Sequence, residues 1–412
     1  MDLFVKNIAQ LVTVAAGGGR VKRGAAMNDI GLMAGAGVVV RGGVIEWVGP
    51  MGSEPGVDGL PEYDASGTVV MPGFVDSHTH MVFAGDRAAE FAMRARGATY
   101  QEIAQRGGGI LATVREVRAA TKKELKRAAS RRLAGMLRHG TTTVEIKSGY
   151  GLDPSSEAKM LEAINELASE EMTTIVPTFI GAHAFPPEYA GRQSDYVDLV
   201  VGTMIPYVGE KKLARFCDVF CDYGYFSLED TARILRAARA AGMELKLHAD
   251  ELASLGGARL AVELGAVSVD HLEHIPPSDI DALAASDTVA TVLPGVSFTL
   301  NHGYAPARML IDRGVSVAIA SDFNPGSCMS YSMPLMMTIA CTQMRMTPEE
   351  AITACTLNGA AALGMSDAVG SIEVGKRADM IVLDIPGYTH LAYHVGTNHV
   401  LHTIKSGVLL EF

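Results

Sequence analysis

Eight short apolar runs, set between amphipathic stretches, constrain the fold of this 412-residue chain more than any other feature. They lie at 69–75, 141–146, 174–180, 214–221, 244–248, 266–271, 288–293 and 315–320. Between them apolar residues recur at helical spacing, as in 155–169, 228–241 and 306–313. Strand-length runs alternating with helices mark βα units, because parallel strands need a long crossover and bury both faces of their sheet. Eight units over this length predict a (β/α)8 barrel, an α/β fold. The stretches 94–118 and 122–137 predict extra helices inserted after the first strand, and a later helix is expected over 347–363.

The ends of the chain have another character. The first seventy residues are β-rich, and 38–41 and 44–48 flank Gly42-Gly43, a hairpin signal. After 365 the chain returns to β character, with 370–379 leading into a strand at 380–383. The two ends are expected to pair into a small β-sandwich. This divides the chain into a composite domain of 1–70 and 366–412 beside a barrel of 71–365.

Composition narrows the function. A net charge of −11 with both signs interspersed argues against nucleic acid and anionic membrane as partners. No run of eighteen apolar residues predicts a transmembrane helix, and Met1–Lys6 does not open a signal peptide. Five scattered cysteines read as free thiols in a reducing cytoplasm.

Barrel enzymes work at the C-terminal ends of their strands, so the polar residues that close the eight runs are the ones to examine. The first run ends in His78 and His80, whose spacing puts both on one face at the end of a strand. The fifth ends at His248, followed by Asp250 and Glu251; the sixth at His271, followed by His274; the eighth leads to Asp322. Imidazole and carboxylate suit zinc and iron, so His78, His80, His248 and Asp322 form a candidate mononuclear site with water completing the shell. Such an ion lowers the pKa of water and polarises a carbonyl. Glu251 and His271 are then candidates for proton transfer, with Asp322 counted among the catalytic groups. His274 is expected behind the ligands or at the surface, and His390, His394, His399 and His402 at the surface. Gly107–Gly109 lacks the lysine and spacing of a phosphate loop and reads as a flexible loop or a tightly packed one, and as a candidate hinge.

At this point the chain resembles the amidohydrolase superfamily. Pro72-Gly73-Phe74-Val75-Asp76-Ser77-His78-Thr79-His80 is similar to its first-strand motif, and Gly375-Lys376-Arg377-Ala378-Asp379 to its C-terminal signature. Within the superfamily the chain closely resembles the family that opens the imidazolone ring in histidine degradation. That likeness rests on Phe83-Ala84-Gly85-Asp86-Arg87, Glu145-Ile146-Lys147-Ser148-Gly149-Tyr150-Gly151-Leu152, Gly181-Ala182-His183, His248-Ala249-Asp250-Glu251 and Ser321-Asp322-Phe323-Asn324-Pro325-Gly326-Ser327.

The resemblance implies hydrolysis of 4-imidazolone-5-propanoate to N-formimidoyl-L-glutamate, with one Zn2+ or Fe3+ per chain. It implies that Arg87 pairs with the propionate carboxylate, a task suited to a planar cationic fork. It implies that Tyr150, His183, Asn324, Gly326 and Ser327 hold the ring and the opened product, that Glu251 contacts the ring and moves protons, and that His271 assists. The fourth run ends Phe220-Cys221-Asp222-Tyr223, without the lysine that bridges two ions in dinuclear members, which favours a single ion. A homodimer fits the resemblance. The rival readings are an amino-heterocycle deaminase, which needs no clamp such as Arg87, and a non-catalytic metal-binding scaffold, which needs no Glu251.

Overall fold

The structure is a computed structural model that describes residues 1–98, 102 and 107–412. Five strands come first: β1 (Leu3–Val12), β2 (Leu32–Arg41), β3 (Val44–Pro50), β4 (Glu62–Asp64) and β5 (Val69–Pro72). Eight parallel barrel strands follow: β6 (Phe74–Asp76), β7 (Thr141–Lys147), β8 (Thr174–Ala182), β9 (Phe216–Cys221), β10 (Glu244–Ala249), β11 (Ser268–His271), β12 (Val289–Val292) and β13 (Val317–Ile319). The chain ends with β14 (Met380–Leu383), β15 (Val400–Lys405) and β16 (Val408–Leu410).

The barrel strands neighbour one another in sequence order, as the alternation predicts. The ring closes between β6 and β13 just past their ends. Asp76 accepts hydrogen bonds from Ser321 N at 3.0 Å and Ser321 Oγ at 2.5 Å. Beyond this clasp the Asp322 amide donates to His78 O and the His80 amide to Phe323 O, each at 3.0 Å. The segments that carry the candidate ligands therefore complete the barrel.

The terminal strands form a second sheet in the order β16-β15-β14-β5-β1-β2-β3, with β4 on β1. Its residues alternate between two interiors, as the period of two requires. Met380 and Val382 join an apolar cluster with Val5, Ile8, Leu11, Val38 and Val70. Ile381 and Leu383 join the main core, with Val69 and Met71. The Gly42-Gly43 turn links β2 to β3 with φ of +58° and +82°, values that favour glycine.

Three expectations need revision. The run 69–75 is one apolar stretch but two strands: β5 pairs with β1 and β14 in the terminal sheet, and β6 with β7 in the barrel. Gly73 is the crossing point, and there a side chain would collide with buried Thr142. His78 and His80 accordingly lie past the end of the short β6, on an extended segment held by the Thr79–Phe323 bridge. The helix expected over 347–363 is two, Pro348–Cys355 and Leu357–Ala361, broken at Thr356 (φ −126°, ψ −92°). The break lets the second helix seat Gly359 against Val75 O, while Asn358 donates to Lys22 O and Val317 O. The insertion after β6 forms helices Ala88–Ala95, Ile110–Ala119 and Lys122–Arg138; residues 99–101 and 103–106 of the predicted 94–118 stretch lie outside the described residues.

Gly73→Ala is expected to cost about 1–3 kcal/mol, because the methyl group overpacks a junction with no room to yield. A fall in the urea midpoint at unchanged slope is the expected reading; an unaltered midpoint would show that the junction relaxes freely.

Candidate active site

The strand ends bring the sequence-derived residues to one mouth. His78 and His80 follow β6, His248 lies in β10, His271 ends β11 and Asp322 follows β13; all are at most 4% exposed. Four of these atoms face each other. Asp322 Oδ1 lies 3.5 Å from His78 Nε2 and 3.7 Å from His80 Nε2, and His80 Nε2 lies 3.3 Å from His248 Nε2. Asp322 Oδ1 and His78 Nε2 are buried without a hydrogen-bond partner. Ligand atoms on a tetrahedral shell of about 2.0–2.1 Å radius sit roughly 3.3–3.4 Å apart, close to these separations. The donor set and its orphaned atoms thus fit a zinc- or iron-like ion.

The electrostatics suit the same use. Burial and the neighbouring Lys147 and imidazoles hold His78 well below the usual histidine pKa, and burial also lowers His80 and His271. Neutral imidazoles are the ligating form. Burial and the charge of Glu251 push Asp322 well above the usual carboxylate range, so its anion calls for a cation beside it. Backbone strain collects at the same place: Asp250, His271, Leu272 and Asp322 all have positive φ, between +46° and +84°.

Beneath the histidines lies a charged layer that the sequence reading did not single out. Lys147 Nζ sits 2.7 Å from Asp218 Oδ2 and 2.8 Å from Glu145 Oε2; Lys246 Nζ is 3.5 Å from Glu145 and 3.7 Å from Asp270. All five side chains are fully buried. Burial works against the charge of Lys147, but Asp218, Glu145 and Asp270 outweigh it and raise its pKa. Asp270 accepts from His78 Nδ1 at 2.7 Å, and Asp218 Oδ2 lies 3.0 Å from His248 Nδ1. Asp270 thereby fixes the far nitrogen of His78 and turns its Nε2 toward the centre, while Asp218 faces the far nitrogen of His248 at ion-pair distance. The available signal was a charged residue inside an apolar strand, as Asp218 is in Phe-Cys-Asp-Val-Phe-Cys.

Around the histidines stand His183, Tyr150 and Glu251. His183 stacks on His80 with ring centroids 4.7 Å apart, and Tyr150 lies 5.4 Å from His183. His183 Nδ1 bonds to Gly149 O at 3.0 Å, so Nδ1 carries the proton and Nε2 is an acceptor. Tyr150 rides on a loop gathered around Glu157, a buried carboxylate accepting from the amides of Gly149, Gly151 and Leu152. Glu251 lies 3.5 Å from His271 Nδ1, and burial together with Asp222 pushes it up to about 8. A second buried carboxylate, Glu273, stands 3.7 Å from the same nitrogen and was also missed.

Asn324 is absorbed by its own loop. Its amide donates to Asp322 O and Ser327 Oγ and accepts from the Gly326 and Ser327 amides, which fills all four of its hydrogen-bond positions. Gly326 and Ser327 border a cavity of about 440 Å³ that Arg87 also lines. His274 is exposed, and His394 and His399 pair with each other at 2.8 Å near the C-terminus.

Fold and site together define an amidohydrolase: residues 86–410 match the Amidohydrolase family. An adenosine deaminase from Xanthomonas campestris with bound zinc superposes at a TM-score of 0.74 and 20% identity, over 99% of this chain and 92% of that one. An atrazine chlorohydrolase from Arthrobacter aurescens complexed with zinc superposes at 0.78 and 17% identity, over 99% and 95%. These likenesses establish the fold. An imidazolonepropionase of Porphyromonas gingivalis is 49% identical over 99% of this chain and 97% of its own length. Another from Symbiobacterium thermophilum is 49% identical over 100% and 97%. The chain belongs to the imidazolonepropionase family of amidohydrolases, hydrolases that cut a carbon–nitrogen bond of a small molecule.

Lys147→Met removes a cation from among three buried carboxylates and is expected to cost about 3–5 kcal/mol. Protonation relieves a buried carboxylate that has lost its cation, so the deficit is expected to be smaller at acid pH than at neutral pH. Urea unfolding at acid and neutral pH reads this; a deficit independent of pH would point to lost packing instead.

Proposed function

We propose that this protein hydrolyses 4-imidazolone-5-propanoate to N-formimidoyl-L-glutamate, with one Zn2+ or Fe3+ held by His78, His80, His248 and Asp322. The observation that carries this reading is the convergence of three imidazole Nε2 atoms and one orphaned carboxylate oxygen at separations of 3.3–3.7 Å. The metal, when bound, supplies Lewis acidity and a water of lowered pKa.

The chain's own residues supply the rest. Arg87 takes the propionate carboxylate through charge-assisted hydrogen bonds. His183 Nε2, an acceptor because Nδ1–H serves Gly149 O, receives a ring N–H. Tyr150 covers the ring, and Asn324 holds Gly326 and Ser327 where their backbone and hydroxyl meet it. Water adds to the ring carbonyl carbon and loses a proton, the carbon–nitrogen bond breaks, and the leaving nitrogen takes a proton from a donor that the proton from water restores. Glu251, held protonated up to about pH 8 by burial and Asp222, is placed to give that proton, with His271 3.5 Å away as its partner.

In this reading residues 71–365 carry the chemistry, and 1–70 with 366–412 form the companion domain. A single ion agrees with the absence of a lysine at the end of β9 and with the engagement of Lys147 by Asp218. We also propose a homodimer in the cytoplasm. The five free cysteines support a reducing compartment; among the described residues, no helix is long and apolar enough to cross a membrane.

Elemental analysis of purified protein, run beside an anaerobic absorbance assay on freshly generated substrate, tests the core of this reading. About one metal per chain with substrate loss is expected, and His248→Ala should abolish both. Bound metal without turnover would redirect attention to other cyclic amides and amino-heterocycles. Arg87→Ala should raise KM about 10- to 100-fold with metal content unchanged, as befits loss of a charge-assisted contact. An unaltered KM would strip Arg87 of its role.

A further inference from the structure

The insertion after β6 contains an arrangement that the reaction as described does not use. Arg87 is the residue before helix Ala88–Ala95, and Glu90 lies in its first turn. Glu90 Oε2 accepts from Arg87 Nε at 2.9 Å and Nη2 at 2.7 Å. Both side chains are largely sheltered, 15% and 12% exposed. The other oxygen, Oε1, accepts from the Gly109 amide at 3.1 Å. Gly109 has φ +80° and ψ −169°, a backbone state for glycine, and it starts helix Ile110–Ala119. One carboxylate therefore fastens the guanidinium to the glycine segment that opens the next helix.

The geometry of the fork gives this a purpose. Glu90 occupies the Nε–Nη2 edge of Arg87, and among the described residues no hydrogen bond engages Nη1. Nη1 packs against Gly326, where any side chain would collide with it. Arg94, one turn beyond Glu90, donates to Gly326 O at 3.0 Å. The guanidinium is thus held along its Nε–Nη2 edge by a carboxylate and lies close beside a loop position that only glycine allows.

We propose that Glu90 is a positioning residue that selects for the substrate's carboxylate by presenting the free edge of Arg87 in a fixed place. The proposal rests on the role assigned above to Arg87. An arginine without such a partner has many rotamers to lose on binding, and fixing it in advance lowers that cost. Glu90 therefore acts on KM, with little effect on the bond-breaking step.

The test is a double-mutant cycle on the metal-loaded enzyme, with steady-state kinetics on the imidazolone substrate and metal content measured for each variant. Glu90→Ala should raise KM about tenfold, the worth of one misplaced charge-assisted hydrogen bond, at near-normal kcat and full metal content. In an Arg87→Ala background the same change should add less than about twofold, because its target is gone. Glu90→Gln, which keeps an oxygen for the guanidinium, should recover part of the loss, and it stands in if the alanine variant fails to fold. A normal KM in both Glu90 variants, beside a raised KM in Arg87→Ala, would overturn the proposal. So would an equal penalty for Glu90→Ala with and without Arg87, since that marks a structural role in the helix. A normal KM in Arg87→Ala would fault the earlier assignment of Arg87, and with it this one.

Discussion

The buried charge layer of Lys147, Lys246, Glu145, Asp218 and Asp270 underlies the rest of the site. Barrel interiors are ordinarily filled by branched aliphatic side chains. Here two ammonium groups and three carboxylates occupy fully buried positions, an expensive choice unless every charge is paired. Lys147 is paired with Asp218 and Glu145, and Asp218 and Asp270 each spend a second contact on an imidazole. The layer turns a costly desolvation into orientation: carboxylates held by lysines hold the histidines. Asp218, drawn well below its usual range by His248 and Lys147 despite its burial, is the centre of that exchange.

The strained backbone around the mouth follows from the same demand. Ligand atoms must converge on one point, yet they arrive from strands spread around a ring. Positive φ at Asp250, His271, Leu272 and Asp322 turns the chain sharply where each strand ends. Such conformations cost energy and persist only where packing over-determines them. The Asp76–Ser321 clasp and the reciprocal backbone bonds between His78, His80, Asp322 and Phe323 provide that constraint.

Much of this was readable from sequence, for a physical reason. His78, His80, His248, His271 and Asp322 are polar residues that close apolar runs, and a barrel gathers strand ends whatever the loops do. What escaped was hidden by the same periodicity. Asp218 and Asp270 sit inside or next to apolar runs, and only the alternation of side chains around a closed ring shows them pointing inward. Glu90 and Glu157 fall in first turns of helices, where a carboxylate reads as an ordinary cap. The boundary at Gly73 was invisible because both neighbouring strands are apolar; the clash with Thr142 that marks it is tertiary. The break at Thr356 likewise serves contacts with Lys22 and Val317, distant in the chain.

The passage from β5 to β6 has a bearing on how the molecule is made. β5 is hydrogen-bonded to β14, whose residues lie more than three hundred positions later, at Met380–Leu383. A few residues after β5 the same segment delivers His78 and His80. During synthesis β5, a few residues before the first two imidazoles, must wait for nearly the whole polypeptide before its second edge is covered. Pairings this remote in sequence form slowly and leave apolar edges open meanwhile. The sheet that leads into the mouth is therefore among the last parts to settle, and a nascent chain stopped short of β14 would carry its histidines just beyond a strand with one edge open.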